Sequence, residues 1–362
     1  MIDTEDFINN LVIEGYTHLC VVPCSFAKNL INGSINGGER LEYLPCASEA
    51  VACSVAAGIK MSGKRPIVIV QSSGLTNMGS CITSLLKPYE VTFPIIVSWR
   101  TYKDGDSEIQ HKHLATHLPD LVEAYGYKSE VLVSDKIKVI DQILSAENEQ
   151  KILLLRSGFF SEVVLDKKHQ LNLTRYISRS EYLKRLDSLY KDSEYTFVGT
   201  TGNTAREMYS FMPNTSNFYM AGNMGGALSV GLGAYLAEKK IIVCGGDAEY
   251  AMHLGGITTA ARYASNLKGK LIYIVFDNES NKSTGGQKSY QEHINYLGVG
   301  KAVGLKCCGK TIHTILEFEK ALNQAEDLNG IWFLHVKCAY DNVTPRPNLN
   351  IIKKSIESFG SF

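Results

Sequence analysis

Four- to six-residue runs of apolar side chains recur along the chain, each closed by a polar or turn-forming residue. The first half carries His18-Leu19-Cys20-Val21-Val22 before Pro23, Pro66-Ile67-Val68-Ile69-Val70, Pro94-Ile95-Ile96-Val97-Ser98 and Lys151-Ile152-Leu153-Leu154-Leu155. Such continuous runs predict strands buried on both faces, as in parallel sheets. Between them lie stretches with helical spacing: an amphipathic run over Phe7 to Glu14, and Glu49 to Met61 with small residues on one face. The same alternation resumes in Thr196-Phe197-Val198-Gly199, Lys240 to Cys244, Leu271 to Phe276 and Ile331 to Val336, with a helical stretch over Leu254 to Ala264. Strand–helix alternation predicts βαβ units, so the expected fold class is α/β, two doubly wound and mostly parallel-sheet domains. The charged, helix-like stretch between them predicts domains over 1–165 and 191–362 joined by a linker over 166–190.

Composition narrows the function classes. The 362 residues are 44% apolar and 20% charged, ordinary for a globular chain and enough for two domains. Lysine plus arginine and aspartate plus glutamate both number 37, and no basic stripe stands out, so nucleic acid is not an expected partner. No apolar run approaches the roughly 18 residues of a membrane span. The N-terminus is acidic and lacks the pattern of a secretory signal. Nine cysteines, an odd number without CxxC spacing, read as reduced thiols of a cytoplasmic enzyme.

Two motifs carry the candidate chemistry. Gly245-Gly246-Asp247-Ala248 follows one apolar strand, and Asp277-Asn278-Glu279-Ser280 follows the next. Asp247 and Asn278 are 31 residues apart, room for a crossover helix, so both are expected at the carboxyl edge of neighbouring strands, where open α/β sheets bind ligands. A carboxylate and an amide oxygen there suit Mg²⁺ and a diphosphate. Glycines allow close backbone approach, and the following helix start offers N–H groups. Taken alone, each motif is more often a turn or cap. No GxGxxG opens a helix after a strand, which argues against a nucleotide-dependent dehydrogenase.

The spacing from Gly246-Asp247 to Asn278 resembles the signature of thiamin-diphosphate enzymes. Further motifs resemble the phosphonopyruvate decarboxylase family and its sulfopyruvate decarboxylase relatives: Val22-Pro23-Cys24-Ser25-Phe26, Trp99-Arg100, Gln110-His111, Thr200 to Glu207, Gly222-Asn223-Met224-Gly225, Met252-His253-Leu254-Gly255 and Ser283-Thr284-Gly285-Gly286-Gln287. The resemblance runs from about residue 7 to 347. It implies two thiamin-diphosphate-type domains with no middle domain, the first binding the pyrimidine and the second the diphosphate. Thiamin diphosphate and Mg²⁺ are the implied cofactors, with Asp247, Asn278 and Ser280 on the metal. Gly246, Ala248, Gly222, Asn223, Met224, Gln71 and Ser72 would touch the cofactor. Glu49 matches the family's glutamate that bonds the pyrimidine N1′, although an acidic residue in a first helical turn has an ordinary role beside the helix dipole. Met224 would wedge between the cofactor rings and the Gly222 carbonyl would accept the 4′-amino group.

The implied reaction is decarboxylation of phosphonopyruvate to phosphonoacetaldehyde and CO2, with sulfopyruvate or another acidic 2-oxo acid as the alternative. A catalytically silent relative is the third reading. Ser25, Lys28, Arg100 and Arg346 are the candidate anchors for the acidic substrate. A guanidinium at a strand end can fork onto oxygens, and a solvated arginine would look the same in sequence. His111 and His113, at alternate positions, are candidate proton carriers of which one need face the site. Related enzymes build the site between subunits, so a homodimer or larger homo-oligomer is expected. Four places depart from the family pattern: Cys24 for aspartate, Ala248 for the last glycine of Gly-Asp-Gly, Glu249 for a small residue, and Glu279-Ser280 for the Gly-Ala that usually follows the asparagine. A carboxylate at 249 would repel a diphosphate unless it points away.

Overall fold

Six parallel strands build a sheet in each half of the chain. The structure, a computed structural model, describes residues 1–103, 109–265, 269–327, 329–340 and 345–359. In the first unit the strands are β1 (Tyr16–Val21), β2 (Glu42–Pro45), β3 (Arg65–Gln71), β4 (Ile95–Ser98), β5 (Lys128–Val131) and β6 (Lys151–Leu155), ordered β2-β1-β3-β4-β6-β5. In the second they are β7 (Thr196–Gly199), β8 (Ser216–Tyr219), β9 (Lys240–Gly246), β10 (Lys270–Asp277), β11 (Lys306–Cys307) and β12 (Gly330–Lys337), ordered β11-β12-β10-β9-β7-β8. Two doubly wound sheets without a middle domain are the expected fold class.

The central strands are the apolar runs. Ile67 to Val70, Ile152, Leu153 and Leu271 to Phe276 are essentially inaccessible to solvent, and each such side chain contributes about 1.5–3 kcal/mol of burial. The strands that periodicity did not reveal are β2, β5, β8 and β11, the two edges of each sheet. An edge strand is half wetted, and Lys128-Ser129-Glu130-Val131 shows the resulting polar sequence.

The chain divides into one unit of Met1–Gln170 with Asn281–Lys288, and a second of Leu171–Ser280 with Ser289–Phe362. The linker expected over 166–190 is therefore corrected. Its second half is the helix Arg179–Tyr190, whose Tyr182, Leu183 and Leu186 are fully buried in the core of the second unit. Of the charges that suggest a connection, Lys184 lies on the helix's wet face, whereas Arg179 is buried in an ion pair with Glu207 at 2.7 Å. Among the described residues no helix is long and apolar enough to cross a membrane.

Candidate active site

The metal motif is assembled by strand register. β9 and β10 pair in parallel with Gly246 opposite Phe276, so Asp247 and Asn278 leave the sheet at the same carboxyl edge. Asp247 opens the short helix Asp247–Met252 and is 4% exposed. Its Oδ2 is buried without a hydrogen-bond partner, and so is the Ser280 hydroxyl. The Asn278 Oδ1 accepts the Ser280 N–H at 3.0 Å, which fixes the amide oxygen at the strand end. Burial and the nearby Asp277 carboxylate push the Asp247 carboxyl up to about 7. A cation would reverse that shift and satisfy both orphaned oxygens. A carboxylate, an amide and a hydroxyl are hard oxygen donors, the set a small divalent cation such as Mg²⁺ takes.

Asp277, by contrast, is neutralised within the protein. Although burial opposes its charge, His335 at 3.0 Å and Lys337 at 2.8 Å hold its carboxyl below the ordinary value. Lys337 also reaches Glu279 at 2.7 Å. The acidic pair at the two strand ends thus has divided roles, one carboxylate balanced by β12 and the other with its Oδ2 left without a partner.

The departures from the family pattern resolve structurally. Ala248 lies inside the helix without positive φ, so its methyl is unstrained. Glu249 turns away from the strand edge. Its carboxylate accepts the Tyr273 hydroxyl at 3.0 Å, and burial pushes it up to about 7. Cys24 is fully buried with its thiol 2.8 Å from the Ser98 hydroxyl, and burial raises its pKa.

Gly222, Asn223 and Met224 form the loop before the helix Ala227–Leu236. Asn223 adopts φ +57°, which asparagine tolerates, and Gly225 adopts φ +90°. A Cβ on Gly225 would lie 2.8 Å from the His253 ring, so glycine is needed there on both counts.

In the first unit Glu49 opens the helix Glu49–Met61, whose N-cap is Ser48. Glu49 is 3% exposed, and its Oε2 accepts the Asn77 amide at 2.9 Å. Gly74 packs directly on the Glu49 side chain. Gln71 ends β3 and Ser72 begins the helix Ser72–Asn77, with the Ser72 hydroxyl buried and without a partner. Gly74 belongs to the Gln71-Ser72-Ser73-Gly74 stretch expected near the pyrimidine, whereas Asn77 has no sequence signal; the helical turn that brings both onto Glu49 is a tertiary contact with no local signature.

Arg100, just beyond β4, is buried, donates from Nη1 to the Ser25 hydroxyl at 2.9 Å and stands 4.6 Å over the Phe26 ring. Lys28 and Arg346 are exposed. His111 is buried, whereas His113 lies on the exposed face of the helix Lys112–Ala124, with its ring 5.1 Å from that of His117. The two histidines are thus parted by the helix start.

Residues 198–336 match the family described as thiamine pyrophosphate enzyme, C-terminal TPP binding domain. The chain is 30% identical over 332 residues to the phosphonopyruvate decarboxylase of Streptomyces hygroscopicus, covering 85% of this chain and 82% of that one. It is 29% identical over 325 residues to the phosphonopyruvate decarboxylase of Streptomyces viridochromogenes, covering 84% and 81%. It is 26% identical over 356 residues to the sulfopyruvate decarboxylase of Methanosarcina acetivorans, covering 91% and 89%. With its two parallel sheets and an oxygen-lined strand edge, the chain belongs to the phosphonopyruvate decarboxylase family of thiamin-diphosphate-dependent 2-oxo-acid decarboxylases, which are carbon–carbon lyases.

Proposed function

We propose that this enzyme decarboxylates phosphonopyruvate to phosphonoacetaldehyde and CO2 with thiamin diphosphate and Mg²⁺. The observation that carries the cofactor reading is the pair of buried, partnerless oxygens, Asp247 Oδ2 and Ser280 Oγ, beside the fixed Asn278 amide. These three residues would hold Mg²⁺ against the diphosphate. When bound, the cofactor supplies a nucleophilic carbon and the electron sink for departing CO2.

The chain's own side chains do the rest. Glu49, held in place by the Asn77 amide, would exchange a proton with the pyrimidine N1′. The Gly222 carbonyl and the Met224 side chain would keep the cofactor bent, and Gln71 and Ser72 would line the pyrimidine. Arg100 and Ser25 would bind the phosphonate, with Lys28 and Arg346 as outer cations. His111, more sheltered than His113, is the better placed of the two to return a proton to the product carbon. The working unit is at least a homodimer with the site between subunits, acting in the cytoplasm on the cysteine reading above. A second reading, sulfopyruvate as substrate, draws on the Methanosarcina relative, whose alignment spans more of the chain at lower identity.

Arg100→Ala separates the substrates. A charge-assisted contact to phosphonate oxygens is worth about 1.5–3 kcal/mol, so KM for phosphonopyruvate should rise roughly 10- to 150-fold while KM for pyruvate holds. An unchanged ratio of the two KM values removes Arg100 from the phosphonate site.

A further inference from the structure

Glu279 stands between two of the candidate cation ligands, Asn278 and Ser280, and its backbone adopts φ +58°. A glutamate is disfavoured in this left-handed region by roughly 5- to 30-fold. The same angle sets how the chain turns off β10, and so where the Asn278 amide and the Ser280 hydroxyl stand relative to each other. Such a bend needs holding. Its own peptide groups do part of this: the Glu279 N–H donates to Asp277 Oδ1 at 3.0 Å, and the Glu279 carbonyl accepts the Ser289 N–H at 2.8 Å. Lys337 does the rest. It ends β12 opposite Asp277, with Nζ 2.8 Å from Asp277 Oδ2 and 2.7 Å from Glu279 Oε1. One largely buried ammonium thus grips both sides of the turn. The Tyr176 hydroxyl donates to the same Oε1 at 3.2 Å, whereas Arg175 is exposed and 3.9 Å away, too wet to contribute much.

We propose that Lys337 is a positioning residue for the cation site: by bridging Asp277 and Glu279 it holds the left-handed bend that sets the Asn278 amide oxygen and the Ser280 hydroxyl for one cation. The proposal rests on the reading of this strand edge as the Mg²⁺ and thiamin-diphosphate site. Charge and geometry predict opposite signs for the loss of Lys337. An ammonium on the turn repels a nearby cation, so removing its charge alone would tighten Mg²⁺ binding. Removing its grip on the bend weakens Mg²⁺ binding, because the donors must then be ordered at the moment of binding.

The test combines Lys337→Met with Glu279→Gly, because glycine takes a positive φ without help. Calorimetry would measure the affinity for thiamin diphosphate with Mg²⁺, and amide hydrogen exchange would follow Glu279 and Ser280 in cofactor-free protein. Lys337→Met should weaken cofactor binding about 5- to 30-fold and speed exchange at both amides by a similar factor, with β9 and β10 still protected. Adding Glu279→Gly should recover most of that loss, to within about threefold of Glu279→Gly alone, although it restores no ion pair. Cofactor binding within about twofold of wild type, or tighter, in folded Lys337→Met overturns the proposal. A double variant that binds no better than Lys337→Met overturns it too. If Lys337→Met fails to fold, position 279 decides: Glu279→Ala must bind cofactor at least about fivefold more weakly than Glu279→Gly, and equal affinities overturn the bend. Failure of the wild type to bind thiamin diphosphate would instead overturn the cofactor reading. Exchange would then judge the bend alone, and unchanged exchange at Ser280 in Lys337→Met would overturn it.

Discussion

Gly74→Ala perturbs the proposed proton-transfer group without touching it chemically. An ideal Cβ at Gly74 would lie 2.6 Å from Glu49 Cγ and 2.7 Å from Cδ, with Oε1 closer still. Carbon atoms in ordinary contact sit about 3.5–4.0 Å apart, so the carboxyl group must retreat by roughly 0.9 Å or more. That retreat also strains the 2.9 Å bond from Asn77, one turn along the same short helix as Gly74. A misplacement of about 1 Å in a reacting group is worth roughly 10²-fold in rate, or about 2.7 kcal/mol. Alanine is the better helix former by about 1 kcal/mol, so the first unit should not lose stability through propensity. The assay is kcat for CO2 release at saturating cofactor, beside a calorimetric titration of thiamin diphosphate. We expect kcat to fall about 100-fold with cofactor affinity within about threefold of wild type, because diphosphate and metal contacts dominate binding. A kcat within threefold of wild type would refute the placement of Glu49 at the reacting centre.

Glu49→Gln should keep cofactor affinity within about tenfold while turnover falls by ~10² or more, read from the same two assays. Asp247→Ala should abolish Mg²⁺-dependent cofactor binding, and an unchanged calorimetric affinity would remove Asp247 from the metal. Glu147→Gln tests the first unit's stability away from the site. Although burial opposes its charge, Arg65, Lys60 and Tyr16 hold the Glu147 carboxyl below its ordinary value. A lowered folded pKa gives stability that is present above about pH 4.5 and lost as pH falls through the folded value. Urea titrations should therefore show a loss of about 1–3 kcal/mol in the variant at pH 7, shrinking toward acid pH.

Central strands such as Ile67–Val70 and Leu271–Phe276 were legible because burial on both faces leaves no polar position. The edge strands were not, since a half-wetted strand such as Lys128–Val131 carries too little apolar pattern to be told from a loop. The helix Arg179–Tyr190 resembles a linker in sequence because its charges outweigh Tyr182, Leu183 and Leu186, which only the second unit's core explains. At the site, Asp247 and Asn278 could be paired from spacing because strand order and crossover length constrain both. The direction of Glu249 could not, because Tyr273 is distant in sequence and meets it only in the fold. Asn77, and the contact of Gly74 with Glu49, escape for the same reason: their relation to Glu49 is packing.

The central claim is tested most directly by CO2 release from phosphonopyruvate by the purified chain, with and without thiamin diphosphate and Mg²⁺. The account predicts turnover that requires both additions and exceeds turnover of sulfopyruvate and pyruvate under the same conditions. Faster turnover of sulfopyruvate would correct the substrate, and no cofactor-dependent release of CO2 from any of the three acids would contradict the account.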